Sequence, residues 1–272
     1  MRHAGWVHVQ WDAATLGDWV AALDGVDVVV HLAGKRVDCR PTKANIDELI
    51  RSRVESVRLV GEAIKLVDKP PSAWVQLSSL AIFADSGDTI IDESSVVPTT
   101  GPRQQVEVCR QWEAAFEDAT IGFRRTVLLR PGIAIGGDGD PASRQLGLLA
   151  RFGLGGQVGS GAQWVSWIGG EDFFDVLHRA VTDETMSGLY HVTSPVPVQN
   201  RDLMGAYRRA VGCRIGFGAP RVLTTIGAWL LGSDPGLALT GRRCIPARLM
   251  ADGHQFKVTE IDRAVAISIK GH

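Results

Sequence analysis

The nine residues from Val26 to Gly34 constrain this chain more than any others, because they carry three consecutive valines, Val28 to Val30, and end in the small pair Ala33 and Gly34. Side chains branched at Cβ crowd a helix and suit a pleated strand. An apolar run of this length marks a strand buried on both faces, as strands of parallel sheets are. Open α/β sheets bind ligands at the carboxyl ends of such strands. Ala33 and Gly34 stand at that end and would let a bulky flat ligand, most economically a nucleotide, approach the backbone. The competing reading is a buried strand followed by an ordinary glycine turn.

The rest of the chain alternates strands with helices. Trp6 to Trp11 alternates like a strand and Leu16 to Leu23 reads as a short amphipathic helix. Ala44 to Leu66 carries apolar residues at helical spacing, with Arg51, Arg53 and Arg58 along it, and Ala73 to Leu77 is a buried strand ending in Ser78 and Ser79. A polar loop from Asp85 to Arg103 leads to a helix from Gln104 to Asp118, then to a strand from Arg125 to Leu129 that stops at Arg130, Pro131 and Gly132. Such alternation predicts a doubly wound α/β fold. The texture changes after Gly136, where Gly137, Gly139 and Pro141 mark a boundary. A helix from Arg144 to Phe152, a glycine-rich loop from Gly153 to Gly161 and a strand from Trp164 to Ile168 follow. Asp172 is placed to cap a helix from Phe173 to Val181, and Gly188 to Val192 returns to strand. Helical segments at Asp202 to Val211, Arg221 to Leu231 and Pro246 to Asp252 complete a smaller second lobe. The expected division is a Rossmann-like core of residues 1–135 with 165–193 and a substrate lobe of residues 136–164 with 194–272.

Composition narrows the function classes. With 272 residues, a formal net charge of -1 and a pI near 6.7, the chain has no global electrostatic footprint for nucleic acid or an anionic membrane, and neither is expected as a partner. The basic pairs Arg124 with Arg125 and Arg242 with Arg243 read as solvated faces. Cys39, Cys109, Cys213 and Cys244 fit neither a zinc pattern nor a disulfide framework, so no metal site is expected and reduced thiols point to the cytoplasm. No stretch reaches the roughly 20 apolar residues a membrane span needs, and Val222 to Leu231 reads as a buried helix.

Several motifs then fall in a telling order: His31-Leu32-Ala33-Gly34, Ser78-Ser79 with Phe83-Ala84-Asp85, Arg130-Pro131-Gly132, the segment Gly155 to Ile168, Ser194-Pro195 with Pro197-Val198, and Gly241 to Leu249 with Arg243, Pro246 and Arg248. In this order they resemble the atypical extended short-chain dehydrogenase/reductase family, and more narrowly its bacterial epimerase-like branch, over nearly the whole chain. The resemblance implies a Rossmann sheet with a smaller substrate lobe, NADP or NAD as cofactor, and a small-molecule substrate, a nucleotide sugar by analogy. It implies that Ala33 and Gly34 approach the adenosine half and that Arg53 lies near the cofactor phosphates or the substrate cleft. Ser78 and Ser79 would end the strand beneath the nicotinamide, with Arg130, Pro131 and Gly132 walling it. The loop from Gly155 to Trp167 and the second lobe would close over the substrate.

Two departures from that family pattern stand out. The family opens with a strand, a glycine-rich turn and a helix, whose N-terminus cradles the pyrophosphate. This sequence enters one such unit later, so an N-terminally truncated sheet with impaired cofactor binding is expected, its first strand either pairing with Val26 to Leu32 or leaving an exposed apolar edge. Gly153, Gly156 and Gly159 imitate the glycine pattern but follow a helix and precede a strand, which assigns them to the substrate-side loop. The family's proton-transferring tyrosine and its lysine should fall near Gln105 and Cys109, neither of which can do their work. Ser79 is the surviving catalytic candidate, polarising a substrate oxygen or else satisfying backbone at a strand end. His31 is a proton carrier or a core histidine, and Glu107 and Glu113 with Arg110 read as a solvated helix face. Trp164 and Trp167 either line the substrate cleft or pack under the second lobe. Two functions fit: an NAD(P)-dependent epimerase or oxidoreductase-like protein lacking its acid/base pair, or a non-catalytic binding or scaffold protein on the same fold.

Overall fold

A computed structural model describes residue 5 and residues 7–136 and 140–270. The elements run β1 (Val28–His31), α1 (Lys43–Ile64), β2 (Ala73–Leu77), β3 (Ile90–Ile91), α2 (Val108–Ala119), β4 (Arg125–Pro131), β5 (Ile133–Ile135) and α3 (Pro141–Arg151). They continue as β6 (Trp164–Val165), β7 (Trp167–Gly169), α4 (Gly170–Thr182), β8 (Gly188–Val192), β9 (Val198–Gln199), α5 (Asn200–Ala210), α6 (Arg221–Leu231), α7 (Gly236–Leu239), β10 (Arg243–Cys244), α8 (Ala247–Ala251) and α9 (Ile261–Lys270). The central sheet has the order β1-β2-β4-β8, parallel throughout, with Val28 opposite Ala73, Ala73 opposite Arg125 and Val127 opposite Gly188. It is covered on both faces, which is the doubly wound arrangement read from the alternation. On one face Trp74 packs against Val57, Val60 and Ile64 of α1 and Trp112 and Phe116 of α2. On the other, Val75, Val127, Leu129 and Tyr190 pack against Val176 and Ala180 of α4.

A second hydrophobic core brings Ile135 and Trp167 together with Leu203, Ala206 and Tyr207 of α5 and Ile261, Ala264 and Val265 of α9. Helix α9, which pattern reading passed over, presents its buried residues Ile261, Ala264, Val265 and Ser268 at helical spacing. The short parallel pair β5 with β7 joins this core to the sheet, through Ile133 opposite Trp167.

The structure corrects several expectations. Trp6, Gly137 and Gly139 lie outside the described residues. Val7 to Trp11 forms no strand; Trp11 instead meets Trp19 edge-on at 5.1 Å. Among the described residues β1 is therefore an edge strand, and Val30 and Leu32 at its end are exposed. The helix expected at Leu16 is a 3-10 turn over Asp18–Leu23. Asp172 is not the cap: Gly169 is the N-cap of α4, while the buried Asp172 carboxylate accepts from the backbone N–H groups of Lys257 and Val258 at 2.7 and 3.0 Å. The strand expected from Trp164 to Ile168 is broken at Ser166, whose hydroxyl donates to Arg242 O and accepts from Cys244 N–H. Trp164 and Trp167 consequently belong to different sheets. Arg125 is no solvated cation, since it donates to the carbonyls of Ala180, Val181, Asp183 and Met186 at the end of α4 and beyond. Helix α6, expected to be buried, buries no described side chain.

Candidate functional site

The carboxyl ends of β1, β2, β4 and β8 converge on one edge of the sheet, and the turns that leave them form the floor of a crevice. Ala33 is half-buried and Gly34 exposed in the turn after β1. A Cβ on Gly34 would stand 3.1 Å from Cζ of Arg53, a close contact, so the absence of a side chain there lets the guanidinium lie against the backbone without shifting. Arg53, buried on α1, donates to Lys35 O at 2.9 Å and Leu49 O at 3.2 Å and stacks over the Trp112 ring at 4.9 Å. It thereby ties the turn after β1 to the helices behind it. Gly132 is held still more tightly: a Cβ would meet Ser166 O at 2.6 Å and Ser166 C at 2.8 Å. Its N–H donates to Val192 O at 3.0 Å, which fixes the turn after β4 to the end of β8.

Beneath this floor lies a charged network that the sequence reading missed. Glu113 of α2 is buried, and both its oxygens face Arg130: Nε donates to Oε1 at 2.8 Å and Nη2 to Oε2 at 2.6 Å. The Ser78 hydroxyl donates to the same Oε1 at 2.5 Å. A bidentate pair of this kind is strong and orientation-specific. The expectation that Glu113 sits on a solvated face is therefore corrected, and the signal that could have found it was its place among apolar α2 residues, between Trp112 and Phe116. Arg130 also lies over the Phe83 ring at 5.3 Å, and Phe83 meets His191 edge-on at 5.5 Å. Burial lowers the His191 pKa to about 4, aided by the neighbouring Arg130 charge, so this imidazole is neutral. Among the described residues neither of its ring nitrogens makes a hydrogen bond of good geometry, although the Ile245 backbone is close enough to offset part of the burial. His31 is likewise buried and lowered to about 4, and its Nδ1 lies 3.1 Å from Gln76 Nε2, which makes it a core histidine bonded across the sheet.

Facing the floor is a wall of neutral polar groups around one guanidinium. The π-helical turn Arg103–Glu107 precedes α2 and carries Gln104 and Gln105 inward; such turns recur at functional sites. Gln104 Nε2 donates to Val37 O and Cys39 O, closing the loop after β1 onto this turn. Arg242 donates to Ala84 O at 2.9 Å, Thr240 Oγ1 at 3.1 Å and Gln105 Oε1 at 3.3 Å, all neutral acceptors. It is half-buried, and burial pulls its pKa down from the ordinary arginine value. The reading of Arg242 as a solvated surface cation is thus corrected. Cys109 is buried in an apolar cluster with Phe83 and Cys244, and burial pushes its thiol up to about 12. The crevice wall therefore holds no group that can shuttle a proton at neutral pH where Gln105 and Cys109 stand. Ser79, half-buried beside Ser78, has its Oγ accepting from Ala81 N–H at 3.1 Å, while the hydroxyl proton has no partner among the described residues.

Trp164 is half-buried, donates to Asp88 Oδ1 at 2.7 Å and has Arg243 stacked on its ring at 4.3 Å. Trp167 is fully buried, with its indole N–H on Val196 O at 2.9 Å. The structure therefore brings Ala33, Gly34, Ser78, Ser79, Arg130, Pro131 and Gly132 to one edge of the sheet, with Arg53 behind, Trp164 on the second lobe and Trp167 in the core. A nicotinamide dinucleotide fits this edge in part. The small residues after β1 and the crowded backbone after β4 make walls for flat rings, but no strand, glycine turn and helix suited to a diphosphate occurs among the described residues. The Gly153 to Gly161 loop does not supply one. A Cβ on Gly156 would lie 2.3 Å from Phe217 C, and Ala219 N–H donates to Gln157 O, so its glycines serve packing against residues 217–219.

Comparison with known proteins agrees with this geometry. The chain is 28% identical over 248 residues to an epimerase family protein of Mycobacterium leprae, covering 90% of this chain and 78% of that protein. It is 28% identical over 271 residues to the epimerase family protein SDR39U1 of Homo sapiens, covering 97% and 88%. The crystal structure of the human SDR39U1 isoform 2 with NADPH superposes with a TM-score of 0.82 at 27% identity, covering 93% of this chain and 85% of that one. MoeE5 in complex with UDP-glucose and NAD, at 16% identity and a TM-score of 0.73, shares the fold. The family is NAD-dependent, and the human SDR39U1 and MoeE5 structures were solved with NADPH and NAD respectively. With residues 3–192 matching its family model, the chain belongs to the NAD dependent epimerase/dehydratase family.

Proposed function

We propose that this protein is an NAD(P)-dependent epimerase or oxidoreductase-like member of its family, weakened in cofactor binding and lacking the tyrosine and lysine that move protons in its relatives. The observation that carries this reading is the pair Gln105 and Cys109: an amide bonded to Arg242 and Thr240, and a thiol raised to about 12, stand where that pair is expected. In this reading residues 1–135 with 165–193 form the cofactor half and residues 136–164 with 194–272 the substrate half. Ala33 and Gly34 wall the adenosine, Arg53 braces that turn near the phosphates, and Ser78, Arg130, Pro131 and Gly132 set the nicotinamide side. Ser79 keeps a hydroxyl proton for a substrate oxygen. Trp164 meets the substrate with Trp167 backing it from the core. When bound, the cofactor would supply hydride exchange; the chain's own residues orient the rings and exclude water.

Arg242 supports a small anionic substrate such as a nucleotide sugar, because a half-buried guanidinium with only neutral partners favours an anion. Losing a positioned acid/base forfeits about 10²–10⁴ in rate. The test is titration of this chain with NADPH by cofactor fluorescence, followed by turnover with nucleotide sugars. Weak binding and slow turnover are expected. Micromolar NADPH binding would overturn the impaired-site reading. Nucleotide-sugar binding with no NADPH response at any concentration would instead establish a non-catalytic binding protein, the reading favoured by the inert thiol of Cys109.

A further inference from the structure

Helix α6 is the most apolar segment of the second lobe and packs almost none of it. Val222, Leu223, Ile226, Trp229 and Leu230 fall on one stripe at helical spacing, and each is half or more exposed, with Trp229 at 62%. The apolar surface continues beyond the helix. Phe217 N–H donates to Gly153 O at 2.8 Å, which sets the exposed Ile215 and Phe217 beside Phe152, the most exposed of the three at 73%. Gly159 lies against Arg221, joining the same loop to the start of α6.

The near-neutral total charge conceals a local asymmetry around this face. Residues 141–170 and 203–233 contain no aspartate or glutamate, yet they carry six arginines. Arg209 pairs with Asp262 and Arg208 donates to Gly155 O. Arg144, Arg151, Arg214 and Arg221 are exposed, and none forms an ion pair among the described residues. Arg40 adds a cation by lying over the Trp229 ring at 4.9 Å, while Asp234 just beyond α6 is buried and Asp38 pairs with Arg36, so the apolar face is rimmed chiefly by cations and complements an anionic partner that also offers apolar depth.

From this face we infer that the protein docks on an anionic lipid bilayer surface through α6 and the Ile215 to Phe217 loop, lying on the membrane and not crossing it. No described helix is long and apolar enough to cross one. A second copy seated on the same face would bring like charges together, which is costly. Two concave surfaces of the described residues, between α1 and α2 and beside Phe83 and Pro98, lie away from this face. The α6 face offers exposed apolar side chains, and a fluid bilayer needs no matching shape to receive them, whereas a protein partner depends on it.

The experiment is cosedimentation of the full chain with phosphatidylcholine vesicles, with and without phosphatidylglycerol. Binding is expected only with phosphatidylglycerol and should weaken as salt rises. Leu223→Glu and Leu230→Glu, at exposed positions that leave the circular dichroism unchanged, should each weaken partition by about tenfold or more. Arg214→Gln and Arg221→Gln should each weaken it by about fivefold. Failure to bind phosphatidylglycerol vesicles at low salt would overturn the inference. So would binding indifferent to the glutamate substitutions, equal retention on an acidic polypeptide, or a dimer that the same substitutions dissociate while vesicles are ignored.

Discussion

Replacing Glu113 by alanine is the sharpest test of how this crevice is held together. The carboxylate and the Arg130 guanidinium face each other with side chains only 9% and 7% exposed, and among the described residues both hydrogen bonds of the Arg130 guanidinium go to Glu113. Removing the acid leaves a buried cation with no counter-charge, which costs about 3–5 kcal/mol. It also strips the Ser78 hydroxyl of its acceptor, a loss of about 1 kcal/mol that places the total toward the upper end. Domains have about 5–15 kcal/mol in all, so the variant would keep little reserve. Urea unfolding followed by circular dichroism measures the loss, which in a chain of this size corresponds to roughly a 10 °C fall in Tm. Replacing the whole network, with Ser78→Ala, Glu113→Leu and Arg130→Met together, should cost far less than Glu113→Ala alone, because no charge is stranded. A loss below about 1 kcal/mol for Glu113→Ala, or a triple variant less stable than the single one, would refute the account of a desolvated ion pair.

Further outcomes follow from the same geometry. His31 and His191 have folded pKa values lowered to about 4 from 6.5 by burial, so the unfolded chain binds more protons between those values. Stability should therefore be fully present above about pH 6.5 and fall as pH drops toward about 4, by up to ~1.4 kcal/mol per pH unit for each histidine. Unfolding midpoints across that range should show the slope, and His191→Leu should remove about half of it; a flat profile contradicts the burial. Gly132→Ala should cost about 1–3 kcal/mol, since the new methyl meets the Ser166 backbone, and an unchanged unfolding midpoint would show that the turn after β4 can shift freely. Arg242→Gln and Trp164→Ala should weaken nucleotide-sugar binding by roughly tenfold or more while leaving any NADPH response in place. Equal loss of both ligands in calorimetry would place those side chains outside a distinct substrate half.

The fold class was legible because its signals are local. Three valines before Ala33 and Gly34, a buried run at Ala73 to Leu77 and the five residues Gly188 to Val192 each specify a strand without outside help, and the strand spans at Ala73 and Gly188 match the structure residue for residue. The motifs from His31 to Leu249 are enough to suggest the family, because they record the turns that leave each strand. Helix α9 was equally available in the spacing of Ile261, Ala264, Val265 and Ser268 and was passed over.

What the sequence could not decide was which polar residues face inward and which apolar ones face out. Glu113 and Arg130 are separated by 17 positions, and only the packing of α2 on the ends of β2 and β4 brings them to hydrogen-bonding distance. Arg242 reaches Gln105 across 137 positions for the same reason, through the return of the C-terminal segment over the sheet. Helix α6 is the opposite case: its composition asks for burial, yet among the described residues no other helix or strand covers its stripe, although the Arg40 guanidinium lies over Trp229. Local propensity sets the period of a segment, but the solvent exposure of each face is fixed only when distant elements settle against it, and that is a property of the tertiary structure alone.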